Sequence, residues 1–493
     1  MALSVASVLA FATFSAIPRS PFQPIGPFNP GGPFVWFANL IHAGSMSNNL
    51  LVATGVPVTI FAVCAFLLLL REAWRGNVSL RTVLVLVVFY HLVIAMLPLL
   101  FSRDVYSYAF YGRIVAVYHG NPYVQTPLHY VSDPGARPLW HLLGPKWTDT
   151  LSVYGPFFST LAGLIAKVSS GPAGQANAYK GIAIAASLGT VGLTAWTTRA
   201  IWPARSAFAV VAFGANPTVL FHSVASGHND LLVALSVAGA LAFVVKGKEL
   251  PAVAVLTLGA LVKASGVLPL VILIVWCVAR RPAGRRLRAG MTRGGLAVAI
   301  ALVFSAPYLQ LHDPSLGMVA LAGHQGWLAP SLMFGRLVDF VSLNALGGVV
   351  KYAFFLLLIL AFAFLVRETY RRADGLSPRG IGAAWGWALI MLMLLGPVLL
   401  PWYVVWAMPL VWLMPRAPRT CLIATGVGLA VAQWVTEALN FPTAFHIDWW
   451  VGHWLVTPAL LGLLIWVLVD FRRRVRGDLP LEAEDEPAPV RVG

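Results

Sequence analysis

A few ionisable residues stand out because of what surrounds them. Asp104 comes directly after the apolar run "VIAMLPLLF", behind Ser102 and Arg103. His228, Asn229 and Asp230 crowd one short turn in "SVASGHNDLL". Lys263 interrupts a long apolar stretch in "LGALVKASGVLPLV". A carboxylate can take a proton from a hydroxyl, and an ammonium can hold a developing anion. Ionisable groups in or beside lipid are costly unless solvated or paired, which makes each one a functional candidate. Each also has a plainer reading. Asp104 can be a snorkelling anchor. Asp230 can cap the helix that follows, while the His-Asn-Asp cluster can also hold a metal or a sugar hydroxyl. Lys263 can snorkel, or pair with a protein carboxylate or a lipid phosphate.

Aromatic residues lie near each of these groups. After Asp104, Tyr106, Phe110 and Arg113 fall at helical spacing, as do Tyr108, Tyr111 and Val115. The pattern predicts a helix lying along the membrane interface with an aromatic face. Tyr154 precedes Gly155-Pro156, a helix opening. Trp402 and Tyr403 follow Pro401 in "LLGPVLLPWYVVWAMPL". Flat rings suit sugars, and Trp and Tyr also populate ordinary membrane belts.

The elements that position these residues follow from composition. The chain has 493 residues, 59% hydrophobic and 11% charged, with mean hydropathy +0.78. Soluble domains carry about 25% charge. The expectation is an all-α polytopic membrane protein. Apolar runs fall at 2–18 (a first span rather than a cleaved signal), 50–70, 82–101, 156–169, 179–198, 206–221, 229–245, 250–262, 264–279, 294–309, 347–366, 381–400, 401–415, 420–438 and 452–470. Several are shorter than the ~20 residues of a straight crossing, so a cavity must cover broken backbone. The net charge of +16 sits in clusters at Arg71 to Arg81, Arg199/Arg205, Lys246/Lys248, Arg280 to Arg293, Arg367 to Arg379, Arg416/Arg419 and Arg472 to Arg476. Placing all of these in the cytoplasm leaves the loops 102–155 and 310–346 outside, together with Asp104, Asp133, Asp149, Asp230, Asp313, Asp339, Glu437 and Asp448. The parity closes with about 14 crossings if 156–169 is re-entrant. Residues 1–476 then form one membrane domain. The acidic, Pro-rich stretch 477–493 reads as a disordered cytoplasmic tail.

Several classes are excluded. No GxSxG, Walker A, GxGxxG or HExxH pattern occurs, and the cytoplasmic loops are too short for a nucleotide-binding domain. Basic residues form no stripe for nucleic acid. Cys64, Cys277 and Cys421 suggest neither a disulfide framework nor a metal set. No cofactor is expected.

Taken in order, "SRDVYSYAFYGRIVAVYHGNPY", "YGPFF", "GHND", "LVKASGVLPL" and "PWYVVWAMPL" resemble the multi-spanning GT-C glycosyltransferases. They are most similar to the actinobacterial polyprenol-phosphate-mannose-dependent α-1,6-mannosyltransferases, over roughly residues 80–415. The resemblance implies a bacterial plasma-membrane enzyme with an external active site and interfacial helices in the first large outer loop. It would pass a hexose, mannose by preference, from a polyprenyl-phosphate donor to a glycan or glycolipid acceptor in an inverting displacement. It implies Asp104 as general base and Lys263, then Arg103 or Arg113, as holders of the donor phosphate. Tyr106, Tyr111, Asn121, Tyr154, His228, Asn229, Asp230, Trp402 and Tyr403 would shape the sugar and acceptor sites. Family members often carry paired acids in the first loop. Here Arg103 stands beside Asp104 instead, so no metal site is expected. The rival readings are a transporter or flippase of lipid-linked sugars, and a lipid-linked oligosaccharide ligase or polymerase. A transporter should show broken helices in matching halves, and no such internal symmetry is visible.

Overall fold

The computed structural model describes residues 1–24, 32–310, 326, 328–342, 346–433, 435, 441–477 and 479–484. Asp313, Glu437 and much of the 310–346 loop lie outside the described residues. Those that are described fold into helices and turns, with no strand among them. Six helices are long and apolar enough to cross a membrane: Asn48–Trp74, Gly171–Ile201, Ala283–Tyr308, Gly347–Arg371, Pro378–Leu395 and Pro442–Arg476. A seventh span forms if Pro203–Gly214 and Thr218–Val224, which meet at a 44° bend, are counted as one. Asn216-Pro217 explains the break, because proline brings no N–H to the helical ladder. Thr218–Val224 is a π-helix, the wide form that tends to appear at functional sites.

The shorter apolar helices include Leu80–Ala95, Pro156–Val168, Asp230–Val245 and Glu249–Ala260. Asp230–Val245 and Glu249–Ala260 are joined by a tight turn. Glu249–Ala260 and Val267–Ala279 turn back at Lys263, the apex expected from the sequence. Three local outcomes differ from expectation. The run 401–415 is not an α-helical span. It forms two 3-10 helices, Pro401–Trp406 and Met408–Leu413, buried throughout, because Pro401 and Pro409 cannot donate to an α ladder. Asp104–Ala116 does not turn one aromatic face outward: every residue from Val105 to Gly112 is buried within the protein. The start of the acidic tail is held rather than disordered. Leu481 is buried and its carbonyl accepts the Trp387 indole N–H at 3.0 Å, while the Ala483 N–H donates to the Leu413 carbonyl at 2.8 Å.

The basic clusters meet at one end of the molecule. Arg205 and Arg419 both stack on Trp74. Arg379 lies over Trp202, and Arg286 donates to the Tyr370 hydroxyl at 2.8 Å. Arg281 and Arg293 share Glu249. Clusters far apart in sequence are therefore neighbours in space, as a common membrane side requires.

The turn "YGP" is joined to the Lys263 apex through backbone. The Gly155 N–H donates to the Val262 carbonyl at 2.9 Å. A Cβ at Gly155 would overlap the Leu261 carbonyl, which belongs to backbone and cannot swing away. Gly155→Ala should therefore lower the melting temperature in detergent by an amount equivalent to about 1–3 kcal/mol, the usual cost of overpacking. An unchanged melting temperature would show that the two turns are not rigidly joined.

Candidate active site

Asp104 is the first residue of the Asp104–Ala116 helix, where a carboxylate is favoured by the helix dipole. Its N–H is held by the Ser102 hydroxyl at 3.1 Å. Leu100, four residues earlier, is tied to the segment leading into the "GHND" turn: its N–H donates to the Ala225 carbonyl at 3.4 Å, and the Ser226 hydroxyl donates to its carbonyl at 2.6 Å. Phe101 adopts φ +57°, a strained value for a bulky residue, and is pinned by stacking on His222 at 4.1 Å.

The turn itself depends on Gly227. Its φ is +69°, the left-handed region open to glycine, and the Val105 side chain packs where a Cβ would stand. His228 then stacks on Trp402 at 3.8 Å and places Nδ1 3.2 Å from the Tyr108 hydroxyl and 3.7 Å from an Asp104 carboxylate oxygen. Burial, more than the neighbouring Lys263 charge, pushes the His228 pKa well down, so its ring is neutral. Its Nε2 has no partner among the described residues.

Asp230 and Lys263 form the electrostatic centre. Lys263 Nζ donates to both carboxylate oxygens of Asp230, at 2.8 and 3.0 Å, and the Trp406 indole N–H donates to one of them at 2.7 Å. The ammonium also lies 4.6 Å from the centre of the Tyr403 ring. A protein carboxylate, one of the partners open to Lys263 in the sequence, is thus in direct contact with it.

A cavity of about 390 Å3 opens beside this pair. Asp104, Lys146, Trp147, Tyr154, Lys263, Trp402 and Tyr403 reach its wall. Asp104 is 14% exposed. Burial raises its pKa to about 6; Lys263, Ser102 and Lys146 pull the other way, and Asp230 adds to the rise. The remaining expected residues stand back from the wall. Tyr106 is buried, and the Tyr111 hydroxyl donates to the Thr150 carbonyl at 2.7 Å. Asn121 donates to the Tyr308 carbonyl at 2.8 Å. Arg103 reaches the Leu143 carbonyl at 3.5 Å, and Arg113 pairs with Asp133 at 3.3 Å. Sequence reasoning missed Lys146, Trp147 and Trp406. A Lys-Trp pair in an outer loop, a cation beside a ring, was the available signal for the first two. Among the described residues, no three His, Cys, Asp or Glu side chains gather to hold a metal.

Such a wall can bind a sugar ring against tryptophan and tyrosine, hold an anion at two ammonium groups, and offer a base with an elevated pKa to a hydroxyl. The ion pair has its own consequence. Lys263→Met leaves the Asp230 carboxylate buried without a cation, which costs about 3–5 kcal/mol. The melting temperature should fall sharply in that variant. Adding Asp230→Asn should restore much of the loss, since the uncompensated charge is gone. Equal melting temperatures for Lys263→Met and the wild type would overturn this account of the pair.

Residues 19–280, over half of the chain, match the family described as Alpha-(1->6)-mannopyranosyltransferase, N-terminal domain. Alpha-(1->6)-mannopyranosyltransferase A of Mycobacterium tuberculosis is 26% identical to the chain over 442 residues, covering 85% of this chain and 80% of that protein. The matched segment holds Asp104, the "YGP" turn, His228, Asp230 and Lys263, the residues that build the carboxylate-and-ammonium side of the cavity. The chain belongs to the alpha-(1->6)-mannopyranosyltransferase family.

Proposed function

We propose that this mannosyltransferase is of the GT-C type and uses a polyprenyl-phosphate-linked mannose as donor. The acceptor is a glycan or glycolipid outside the cytoplasm, and the chain crosses the plasma membrane about 14 times with the cavity on the external side. The observation that carries this reading is the meeting of Asp104, Lys146 and Lys263 on one cavity wall with Tyr154 and Trp402. The basic belt occupies the cytoplasmic end, which leaves the cavity outside.

The reaction is a single displacement. Asp104 takes the proton of the acceptor hydroxyl as that oxygen attacks C1 of the sugar. The bond from C1 to the phosphate oxygen breaks, and its electron pair leaves with the polyprenyl phosphate. Lys263 and Lys146 stabilise that charge. An ammonium carries three N–H donors, so Lys263 can hold Asp230 and still offer one to a phosphate oxygen. A second, apolar cavity of about 210 Å3 shares Lys263, Val398 and Tyr403 with the first and is walled by Leu268, Phe355, Leu358 and Leu392. It suits the start of a prenyl chain, with the phosphate at the shared lysine.

Membranes containing the protein should transfer labelled mannose from polyprenyl-phosphate mannose to a mannan acceptor. Asp104→Asn should lower turnover about 10²–10⁴-fold while the protein still inserts and folds. Full activity in that variant would remove Asp104 from the role of base. The wild-type rate should also fall as pH drops through about 6, where Asp104 takes up a proton, rather than near the ordinary carboxylate value close to 4. A rate flat down to pH 5 would contradict this.

Lys146 and Arg113 separate two ways of holding the phosphate. Lys146→Ala should raise the KM for the lipid donor about tenfold, the scale of one charge-assisted hydrogen bond. Arg113→Ala should leave it unchanged, because Arg113 is engaged with Asp133 away from the cavity. The reverse pattern would relocate the phosphate.

A further inference from the structure

A further cleft lies at the basic end, and none of its lining residues belongs to the two cavities described above. It measures about 640 Å3 and runs between the helices Gly347–Arg371 and Thr457–Arg476. Arg367 and Arg371 line it from one helix, and Arg472 and Arg476 from the other. Each pair is spaced i, i+4, so each places two like charges on one helix face, which is unfavourable without a counter-ion. Among the described residues, Glu368 is the one carboxylate on the wall. It is fully buried and shared by Arg367 and Arg371 at 3.5 Å and by Arg372 at 3.0 Å. Glu368 serves the Arg367 and Arg371 side, and among the described residues no ion pair engages Arg472 or Arg476, so that side of the cleft carries positive charge.

The other part of the wall is apolar. Leu357, Leu360 and Phe364 line it and are 38%, 46% and 49% exposed on a helix hydrophobic enough to cross a membrane. From Leu357 to Arg371 the helix rises roughly 21 Å. The cleft therefore runs from exposed hydrocarbon down to guanidiniums that can grip phosphate in bidentate fashion. A small soluble anion would satisfy the arginines and leave the apolar part uncovered. A lipid satisfies both parts. Basic pockets between spanning helices are a recurrent setting for anionic headgroups.

We infer that this cleft binds an anionic phospholipid of the adjoining leaflet, its phosphate among Arg367, Arg371, Arg472 and Arg476 and an acyl chain along Leu357 and Phe364. The site is separate from the donor cavity and does not depend on how that cavity is read.

The test uses the purified full-length protein in detergent, stripped of lipid. Phosphatidylglycerol should raise its melting temperature with an apparent affinity about tenfold above that of phosphatidylcholine, and the double variant R472Q/R476Q should lose that preference. Equal effects of the two lipids on the wild type would overturn the proposal. So would an unaltered preference in the variant. Inorganic phosphate reproducing the whole effect would make the site one for soluble anions instead. A second measurement needs no variant: a photoactivatable phosphatidic acid with the reactive group in its acyl chain should label the Leu357–Phe364 or Leu468–Phe471 stretches of the wild type. Phosphatidylglycerol should compete that label away and phosphatidylcholine should not. Label confined to other helices would refute the assignment.

Discussion

The rest of the active-site region depends on the buried pair of Lys263 and Asp230. Neither charge is tolerable alone in this setting. Moving an ion out of water costs several kcal/mol even after relaxation, and only a close partner with further hydrogen bonds offsets it. Here the partner contacts are at 2.8 and 3.0 Å, and Trp406 satisfies a carboxylate oxygen as well. Because the pair must form, the elements that carry it must meet. The Lys263 apex is drawn to the N-terminus of Asp230–Val245, and the 3-10 turn of Pro401–Trp406 closes over both. The "YGP" turn follows, since its backbone is bonded to the apex at Val262. The cavity is the space left beside this junction.

The opposite end is organised by a different balance. There, many cations and few carboxylates lie near one another, and aromatic rings take the place of missing anions. Trp74 receives two guanidiniums, from Arg205 and Arg419, and Trp202 receives Arg379. Backbone carbonyls of the tail help too: Arg379 donates to Ala483 at 2.9 Å, and Arg372 to Leu479 at 2.6 Å. A segment rich in acids and proline would stay loose by itself, as the sequence suggests. Residues 479–484 are held because the basic end supplies donors that need acceptors.

What was legible in the sequence was the unusual residue in an apolar setting. Asp104, the "GHND" turn and Lys263 could all be singled out, because a charge beside or inside a hydrophobic run is improbable without a partner. What was not legible was which residues long loops would bring back. Lys146 and Trp147 sit in a stretch with no periodicity, and only the closed fold sets them beside Asp104. Arg113 illustrates the converse. The resemblance offered it as a holder of the donor phosphate, yet it lies nine residues beyond Asp104 along the helix, roughly 13 Å away, and pairs with Asp133. The aromatic face read from Tyr106, Tyr108 and Tyr111 failed for a related reason. An aromatic helix at a membrane boundary has the same spacing whether lipid or protein covers it. Here Tyr154, Phe158 and Tyr179 pack edge-on around Tyr108.

The same burial that forces Lys263 and Asp230 together also sets the basicity of Asp104. An isolated carboxylate at the helix start would ionise readily, since the dipole favours its charge. Packing against His228 and the Tyr108 ring wall removes water and raises its pKa; the Asp230 charge raises it further, while Lys263 and Lys146 restrain the rise. The outcome near 6 is a compromise with chemical value. At neutral pH the group is ionised and can accept a proton, and its basicity exceeds that of an ordinary solvated carboxylate. A deeper Asp104 would remain protonated, and a more exposed one would be a weaker base. The ion pair therefore shapes the Asp104 carboxylate twice: Lys263 lends it a positive field, and Asp230 limits how far that field lowers its basicity.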